Sequence, residues 1–187
     1  MKKGGVAVAN RSIFKENFDP FEILGINPSF NIDAQALDAA YFARQALAHP
    51  DRFVHHSEPE RQAATVQASS LNRAYEILKN PTLRAKALLQ LQGIELNDDE
   101  KTVQDPEILG EMIDLQEALM NAASPYDLNL VESQIQNLLQ EVMVSFARAV
   151  GGNQDNELQR LFLRLRYLSK LMGDIKALRR QSSMKVL

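Results

Sequence analysis

The sequence has 187 residues, 45% of them apolar and 24% charged, which is typical of a folded chain and leaves room for two small domains. A net charge of −3 argues against general affinity for nucleic acid, and no apolar run approaches the ~20 residues needed to span a membrane. Because the chain contains no cysteine, disulfides, thiolate catalysis and cysteine-ligated metals are excluded. This composition fits a reducing compartment, and we expect a cytoplasmic protein without a membrane partner.

The N-terminal residues carry no clear helix signal. Met1-Lys2-Lys3 precedes a short apolar stretch, Gly4–Ala9, that contains two glycines and resembles a signal peptide only faintly. We therefore expect residues 1–16 to form a flexible tail, with an exported protein as the alternative.

Two helices are predicted at the start of the segment 17–95. Asp19–Glu22 combines an N-cap, a proline at the first helical position and a glutamate at the third, and Gly25 is placed to end this short helix. A second, amphipathic helix is predicted from Asp33 until Pro50 interrupts it, because the residue before a proline disfavours the helical region.

Two further helices are predicted before residue 95. Ser57 and Glu60 form the pattern of a capping box, and Asn80 followed by Pro81 ends one helix and begins the next. Gly93 is placed to close the fourth helix. The apolar face of the third helix is predicted to contain Val66, Leu71, Ala74, Tyr75 and Leu78.

A polar segment, 96–104, is predicted to be a linker, and the region 105–187 shows three longer helical patterns. They begin at Asp105-Pro106, at Ser124-Pro125 and after Gly151-Gly152, and their short connections favour an antiparallel three-helix bundle. The predicted core of this bundle comes from the third helix (Leu158, Leu161, Leu165, Leu168, Met172, Ile175) and the second (Val131, Ile135, Leu138, Val142, Phe146).

The tripeptide His49-Pro50-Asp51, between two amphipathic helices, carries the most functional information. Proline fixes the backbone turn, so that Asp51 can offer its carboxylate to a cation on a partner, while His49 can brace the loop or add a hydrogen bond. The alternative is that Pro50 merely breaks a helix while His49 and Asp51 satisfy each other.

A second alternative is a metal centre in the same loop. His49, Asp51, His55 and His56 are residue types that bind divalent metals, which would suit a small metal-dependent phosphohydrolase. All four lie within one short stretch, and no ligand from a second helix is evident.

The surroundings of the tripeptide add a family resemblance. The order Phe18–Gly25, a helix, His49-Pro50-Asp51, then a helix containing Asn72–Leu78 resembles the J-domain of DnaJ-type co-chaperones. The resemblance implies an antiparallel helix hairpin with short flanking helices. It also implies that this loop and the helix before it contact an ATP-driven chaperone and trigger hydrolysis there. By this resemblance the chaperone-binding residues are His49, Pro50 and Asp51, with Arg44 and Arg52 as nearby cations.

The helix before the tripeptide departs from the usual J-domain pattern. J-domains usually carry several lysines or arginines there, whereas this helix has Arg44 together with Asp38, and Asp33 at its start. Ala48 stands where an aromatic residue often precedes the tripeptide. These departures point to weaker docking or to a specialised partner.

The segment Asn80–Leu96 and the helices after it resemble HscB, the co-chaperone family of iron–sulfur cluster assembly, from about residue 17 onward. The glycine/phenylalanine-rich and zinc-binding regions of full DnaJ proteins are missing, as is the N-terminal cysteine-pair module of many eukaryotic relatives, which favours a bacterial-type protein. The resemblance implies an all-α co-chaperone without enzymatic activity or a cofactor of its own. Its J-domain would stimulate HscA, a DnaK-type ATPase, while its C-terminal bundle would deliver the scaffold protein IscU. An adaptor for a different client is the alternative.

The helix that begins at Asp105 has more apolar residues than one buried stripe needs. Leu109 and Ile113 form a row about 100° from the predicted core row of Ile108, Met112, Leu115 and Leu119. This row either widens the core or is exposed for recognition.

In HscB the scaffold-binding patch comes from this helix and the last one. The resemblance therefore assigns it to Leu109, Ile113 and Tyr167, bordered by Asp114 and Glu117, with Gly110 standing where a larger apolar residue is expected.

Charge is unevenly distributed along the second half of the chain. Segment 95–117 has nine acidic residues and one lysine, a net −8, whereas 157–187 has eight basic and two acidic residues, a net +6. The two segments are expected either to attract each other as packed helices or to steer a partner.

Overall fold

The computed structural model describes residues 18–94, 96, 105–152 and 154–184, and within these ranges every regular element is helical. The all-α fold predicted from the sequence is confirmed. The predicted tail, 1–16, lies outside the described residues, as does all of the predicted linker except Leu96, and the domain boundaries stay predictions. The described helices are α1 (Pro20–Leu24), α2 (Ala34–Ala48), the 3-10 turn Pro50–Phe53, α3 (Glu58–Lys79), α4 (Pro81–Leu91), α5 (Pro106–Asn121), α6 (Pro125–Ala149) and α7 (Asp155–Met184).

Side-chain caps fix most of the helix starts, as the sequence predicts. The Asp19 carboxylate accepts the backbone N–H of Phe21 at 2.8 Å, and the Glu60 carboxylate accepts the N–H of Ser57 at 2.8 Å. Each carboxylate accepts a hydrogen bond from a backbone N–H that has no partner within the helix. Side-chain acceptors cap four further helices in the same way, at Asp33, Asn80, Asp105 and Ser124.

Helices α2 and α3 form the antiparallel hairpin predicted for a J-domain. The rings of Tyr41 and Tyr75 stack with centroids 4.3 Å apart. The Tyr41 hydroxyl donates to Asn72 at 2.8 Å, and the Tyr75 hydroxyl donates to Asp38 at 2.8 Å. The earlier residue of α2, Asp38, pairs with the later residue of α3, Tyr75, and Tyr41 pairs with the earlier Asn72. The two helices therefore run in opposite directions.

The predicted apolar face of α3 is wrong at Val66, whose side chain is 66% exposed. Ala64 and Ala68 are buried instead. Val66 follows Ala64 by two residues, or about 200° of helix rotation, so it points away from the core. The remaining buried residues of this helix are Leu71, Ala74, Ile77 and Leu78, while Tyr75 is half-buried.

The predicted seam between α6 and α7 is buried except for Leu138 and Met172, which are half-buried. Two further residues of α7, Phe162 and Leu171, are also buried although they lie off the seam. Helix α7 contacts α4 and α5 as well as α6, so more of its surface is covered than the seam with α6 alone.

The J-domain helices and the C-terminal bundle share one continuous apolar core. The ring of Phe30, in the α1–α2 connection, lies against Phe146 of α6 with ring centroids 4.8 Å apart. Arg84 of α4 holds this connection, donating to the carbonyl of Phe30 at 2.6 Å and to that of Leu78 at 2.7 Å. Burial lowers the pKa of Arg84 from its ordinary value. We call the contact of Phe30 with Phe146 the junction.

Among the described helices, none has an apolar stretch of the length and hydropathy required to cross a membrane.

We predict that Phe146→Ala lowers the free energy of unfolding by about 3–5 kcal/mol, because it removes a fully buried ring and opens a cavity at the junction. Chemical denaturation followed by circular dichroism measures this change. The matched control is Tyr126→Ala, at a residue 69% exposed on α6, for which a change within about 0.5 kcal/mol is expected. Equal midpoints for the two variants would contradict the role given to the junction.

Candidate functional site

The turn that follows α2 holds the tripeptide His49-Pro50-Asp51 at the protein surface. Ala48, the last residue of α2, is 2% exposed and anchors the turn to the J-domain core. His49 has an extended backbone, as expected before a proline, and its carbonyl accepts the N–H of Arg52 at 3.0 Å. The Nδ1 atom of His49 accepts the N–H of Asp51 at 3.3 Å, so the imidazole acts as the cap of the 3-10 turn.

The side chains of this turn remain accessible to a partner. The His49 side chain is 52% exposed and that of Asp51 is 86% exposed. An Asp51 oxygen lies 3.5 Å from His49 Nδ1, which makes an ion pair only when the imidazole is protonated. The two residues thus approach each other, as one alternative holds, yet most of the carboxylate surface still faces solvent. An exposed carboxylate on a fixed turn can accept charge-assisted hydrogen bonds from another protein.

The two nearby arginines have contacts within the J-domain. Arg52 donates to the carbonyl of Ala46 at 3.1 Å, which ties the turn to the end of α2. The guanidinium of Arg44 lies against Gly25, which has a φ of 59° and leaves no room there for a β-carbon. The docking role expected for both arginines stays a prediction, and Arg44 also stabilises the corner between α1 and α2.

The histidines of the loop do not assemble a metal centre. Within the described part of the chain, no group of three or more histidine, aspartate or glutamate side chains is arranged to hold a metal ion. His56 instead packs on the ring of Phe53, with ring centroids 5.1 Å apart. The phosphohydrolase alternative requires His49, Asp51, His55 and His56 to converge, an arrangement that is not found among the described residues.

A second candidate surface lies on α5. Leu109 and Ile113 are 44% and 48% exposed, whereas Ile108 and Leu115 are each 2% exposed. The alternative that this row widens the core is therefore wrong. The row continues to Met120, which is 79% exposed and which the sequence analysis did not single out. We call Leu109, Ile113 and Met120 the α5 row; Asp114 and Glu117, the predicted border, are also exposed.

Tyr167 connects the last helix to this surface. Its hydroxyl donates to the carbonyl of Met112 at 2.7 Å, and its side chain is half-buried. Burial, followed by the negative charge of Asp174, raises the pKa of the Tyr167 hydroxyl. The structure thus places Tyr167 on the α7 side that contacts α5, next to the α5 row, with its hydroxyl already bonded within the protein.

A gap interrupts the α5 surface at Gly110. A β-carbon added at this position would meet no atom within 4 Å. Open space therefore surrounds this position, and no contact of the fold requires a glycine there.

Some of the opposite charges of segments 95–117 and 157–187 pair with each other inside the bundle. Arg164 Nε donates to Glu111 at 2.8 Å, and hydrogen bonds to Glu111 raise the pKa of Arg164. Arg160 forms ion pairs with Asp105 and Glu107. Attraction between packed helices, one of the two expectations, therefore accounts for these five residues.

The chain matches two protein families in the order of its two halves. Residues 19–87 match the DnaJ domain, and residues 104–176 match the domain described as the HSCB C-terminal oligomerisation domain. A protein of Vibrio vulnificus strain YJ016 named co-chaperone protein HscB homolog is 30% identical over 159 residues, which cover 83% of this chain and 93% of the relative.

Solved structures show the same likeness. The chaperone HscB from Vibrio cholerae has a TM-score of 0.77 at 29% identity, covering 87% of this chain and 98% of that one. Human co-chaperone protein HscB has a TM-score of 0.83 at 27% identity, covering 88% and 84%. These matches extend over both the J-domain and the helical bundle. The chain therefore belongs to the HscB family of J-domain co-chaperones.

Proposed function

We propose that this protein stimulates the ATPase of HscA, a DnaK-type chaperone, and delivers the scaffold protein IscU to it in the cytoplasm, thereby promoting iron–sulfur cluster assembly and transfer. The observation that carries the proposal is the 86% exposed carboxylate of Asp51, held on a turn at the end of α2. Membership of the HscB family, whose relatives are named co-chaperones, supports this reading.

The chaperone-binding step uses the His49-Pro50-Asp51 turn. Asp51 accepts a hydrogen bond from a cationic side chain of the chaperone, and such charge-assisted bonds are roughly twice as strong as neutral ones. His49 keeps the turn in shape through its bond to the N–H of Asp51. The backbone that carries the acid is therefore held before the partner arrives, which reduces the entropy lost on docking.

The scaffold-binding step uses the α5 row and the neighbouring Tyr167. Exposed leucine and isoleucine side chains on one helix face gain free energy when an apolar partner covers them, roughly 25 cal/mol for each Å² removed from water. Asp114 and Glu117, exposed on the same helix, add complementarity toward basic residues at the rim.

The junction makes the two steps one process. Because Phe30 and Phe146 belong to a single continuous core, the J-domain turn and the α5 row are carried by helices that pack together. A scaffold protein bound on α5 is then presented to the chaperone at a high effective concentration, without a new contact being required.

A J-domain adaptor for a different client is the second candidate, favoured by two features of α5. Gly110 leaves a gap in the α5 surface, and Met120 extends that surface at the far end of the helix. A client with a different shape could fit this outline. Binding of purified IscU, measured by calorimetry, separates the two candidates.

We predict that His49→Gln and Asp51→Asn each reduce HscA ATPase stimulation at least tenfold while leaving helicity unchanged, because both side chains are exposed and the core does not depend on them. Steady-state ATPase assays measure the effect. His55→Gln, in the same exposed loop, is the matched control and should stimulate like the wild type. Full stimulation by the His49 and Asp51 variants would refute the assignment.

We predict that Leu109→Ala combined with Ile113→Ala weakens IscU binding by about tenfold or more, since truncating central apolar contacts typically costs over 1 kcal/mol each. Calorimetric titration gives the affinity. The control pair, Leu130→Ala with Val144→Ala, removes exposed side chains from α6 and should bind normally. Unaltered affinity in the α5 double variant would reject the α5 row as the scaffold-binding surface.

We predict that Gly110→Met tightens IscU binding, because methionine extends the apolar surface into open space and also favours the helix by roughly 1 kcal/mol relative to glycine. Titration at a fixed temperature gives the affinity, and Gly110→Ala controls for helix stabilisation alone. Weaker binding by the methionine variant would contradict this prediction and show that IscU itself occupies the open space at Gly110.

A further inference from the structure

The solvent side of α2 is uncharged and partly apolar. Its two large side chains, Phe42 and Leu47, are 63% and 65% exposed. The Phe42 ring lies against that of Tyr41, with ring centroids 5.3 Å apart, and most of its surface still faces solvent. The rest of this side consists of exposed alanines, two of them before Phe42 and two between Phe42 and Leu47. We call the whole set the α2 outer face, comprising Ala36, Ala39, Phe42, Ala43, Ala46 and Leu47.

The charged residues of α2 face elsewhere. The helix contains only Asp38 and Arg44 as charged residues. Asp38 accepts the hydroxyl of Tyr75 at 2.8 Å, toward α3, and the guanidinium of Arg44 lies against Gly25 at the corner with α1. The α2 outer face therefore has no cation of its own with which to attract an acidic surface.

The α2 outer face is continuous with the His49-Pro50-Asp51 turn. Leu47 precedes His49 by two residues, and the carbonyl of Ala46 accepts a hydrogen bond from Arg52, within the turn. Val54, directly after the turn, is 57% exposed. A protein that reaches the Asp51 carboxylate therefore meets apolar side chains on both sides of the turn.

We propose that the DnaK-type chaperone docks on the α2 outer face through an apolar contact, so that its complementary surface is apolar rather than acidic. This inference rests on the proposed function, since the occupant is the protein that binds the turn. Apolar burial depends little on ionic strength, whereas attraction between exposed charges is screened within about 10 Å at 0.1 M salt. Docking is therefore insensitive to salt, apart from the local bond at Asp51.

The test measures the concentration of this protein that gives half-maximal stimulation of HscA, at about 50 and 500 mM salt. For the wild type we expect less than a threefold difference between the two conditions. Phe42→Gln with Leu47→Gln should raise this concentration about tenfold or more at both salts and leave maximal stimulation unchanged. The matched control is Tyr126→Gln with Leu130→Gln, at exposed positions of α6, which should behave like the wild type.

A second variant keeps the test independent of the two large residues. Ala43→Glu places a charge in the middle of the α2 outer face, where docking would desolvate it, and should raise the half-maximal concentration similarly. Circular dichroism checks that both variants remain helical.

Asp51→Asn, assayed in parallel, separates the two proposals. Retained stimulation by this variant would overturn the proposed function and the inference with it. Loss of stimulation by Asp51→Asn, together with wild-type half-maximal concentrations for the α2 variants, would overturn the apolar docking alone. A steep rise in the wild-type value with salt would likewise overturn it and assign docking to cations such as Arg52.

Discussion

The contact between Phe30 and Phe146 determines how the rest of this molecule can work. Neither ring lies in a segment that the proposed function uses, yet their packing joins the J-domain helices to the bundle through one apolar core. Arg84 supports the contact by holding the carbonyl of Phe30. Contacts of α4 with α7 add to this connection, so the His49-Pro50-Asp51 turn and the α5 row are carried by helices that share one core.

The helix starts could be predicted from the sequence because their causes are local. A cap such as Asp19 or Ser124 reaches backbone groups two or three residues away, so the pattern contains the whole interaction. Core membership was harder to predict. Val66 follows a plausible apolar spacing, but the neighbours that bury α3 lie along its row of alanines, and small residues give a weak periodic signal.

Residues buried between elements distant in the sequence could not be predicted. Phe162 and Leu171 lie off the seam of α7 and are buried, and that helix contacts α4 and α5 as well as α6. The approach of Arg44 to Gly25 likewise depends on how α2 packs on α1. The sequence offers only a basic residue on a helix, which the J-domain resemblance assigns to partner docking.

The candidate site shows the same division between local and non-local information. The tripeptide and its resemblance could be found in the sequence, and so could the row of Leu109 and Ile113. Whether that row was core or surface required the structure, because a helix with two adjacent apolar rows is compatible with both. The uncharged side of α2 could not be predicted, because it depends on Asp38 contacting α3 and on Arg44 lying against Gly25.

The bond from the Asp51 N–H to His49 has a consequence for the chemistry of the turn. An imidazole that accepts at Nδ1 must carry its proton on Nε2 when neutral, because each ring nitrogen fills one role. The tautomer is therefore set by the protein's own backbone. The neutral ring of His49 then offers a hydrogen-bond donor at Nε2, and the neighbouring carboxylate of Asp51 offers an anionic acceptor. Together the two side chains present a donor and an acceptor, which neither provides alone.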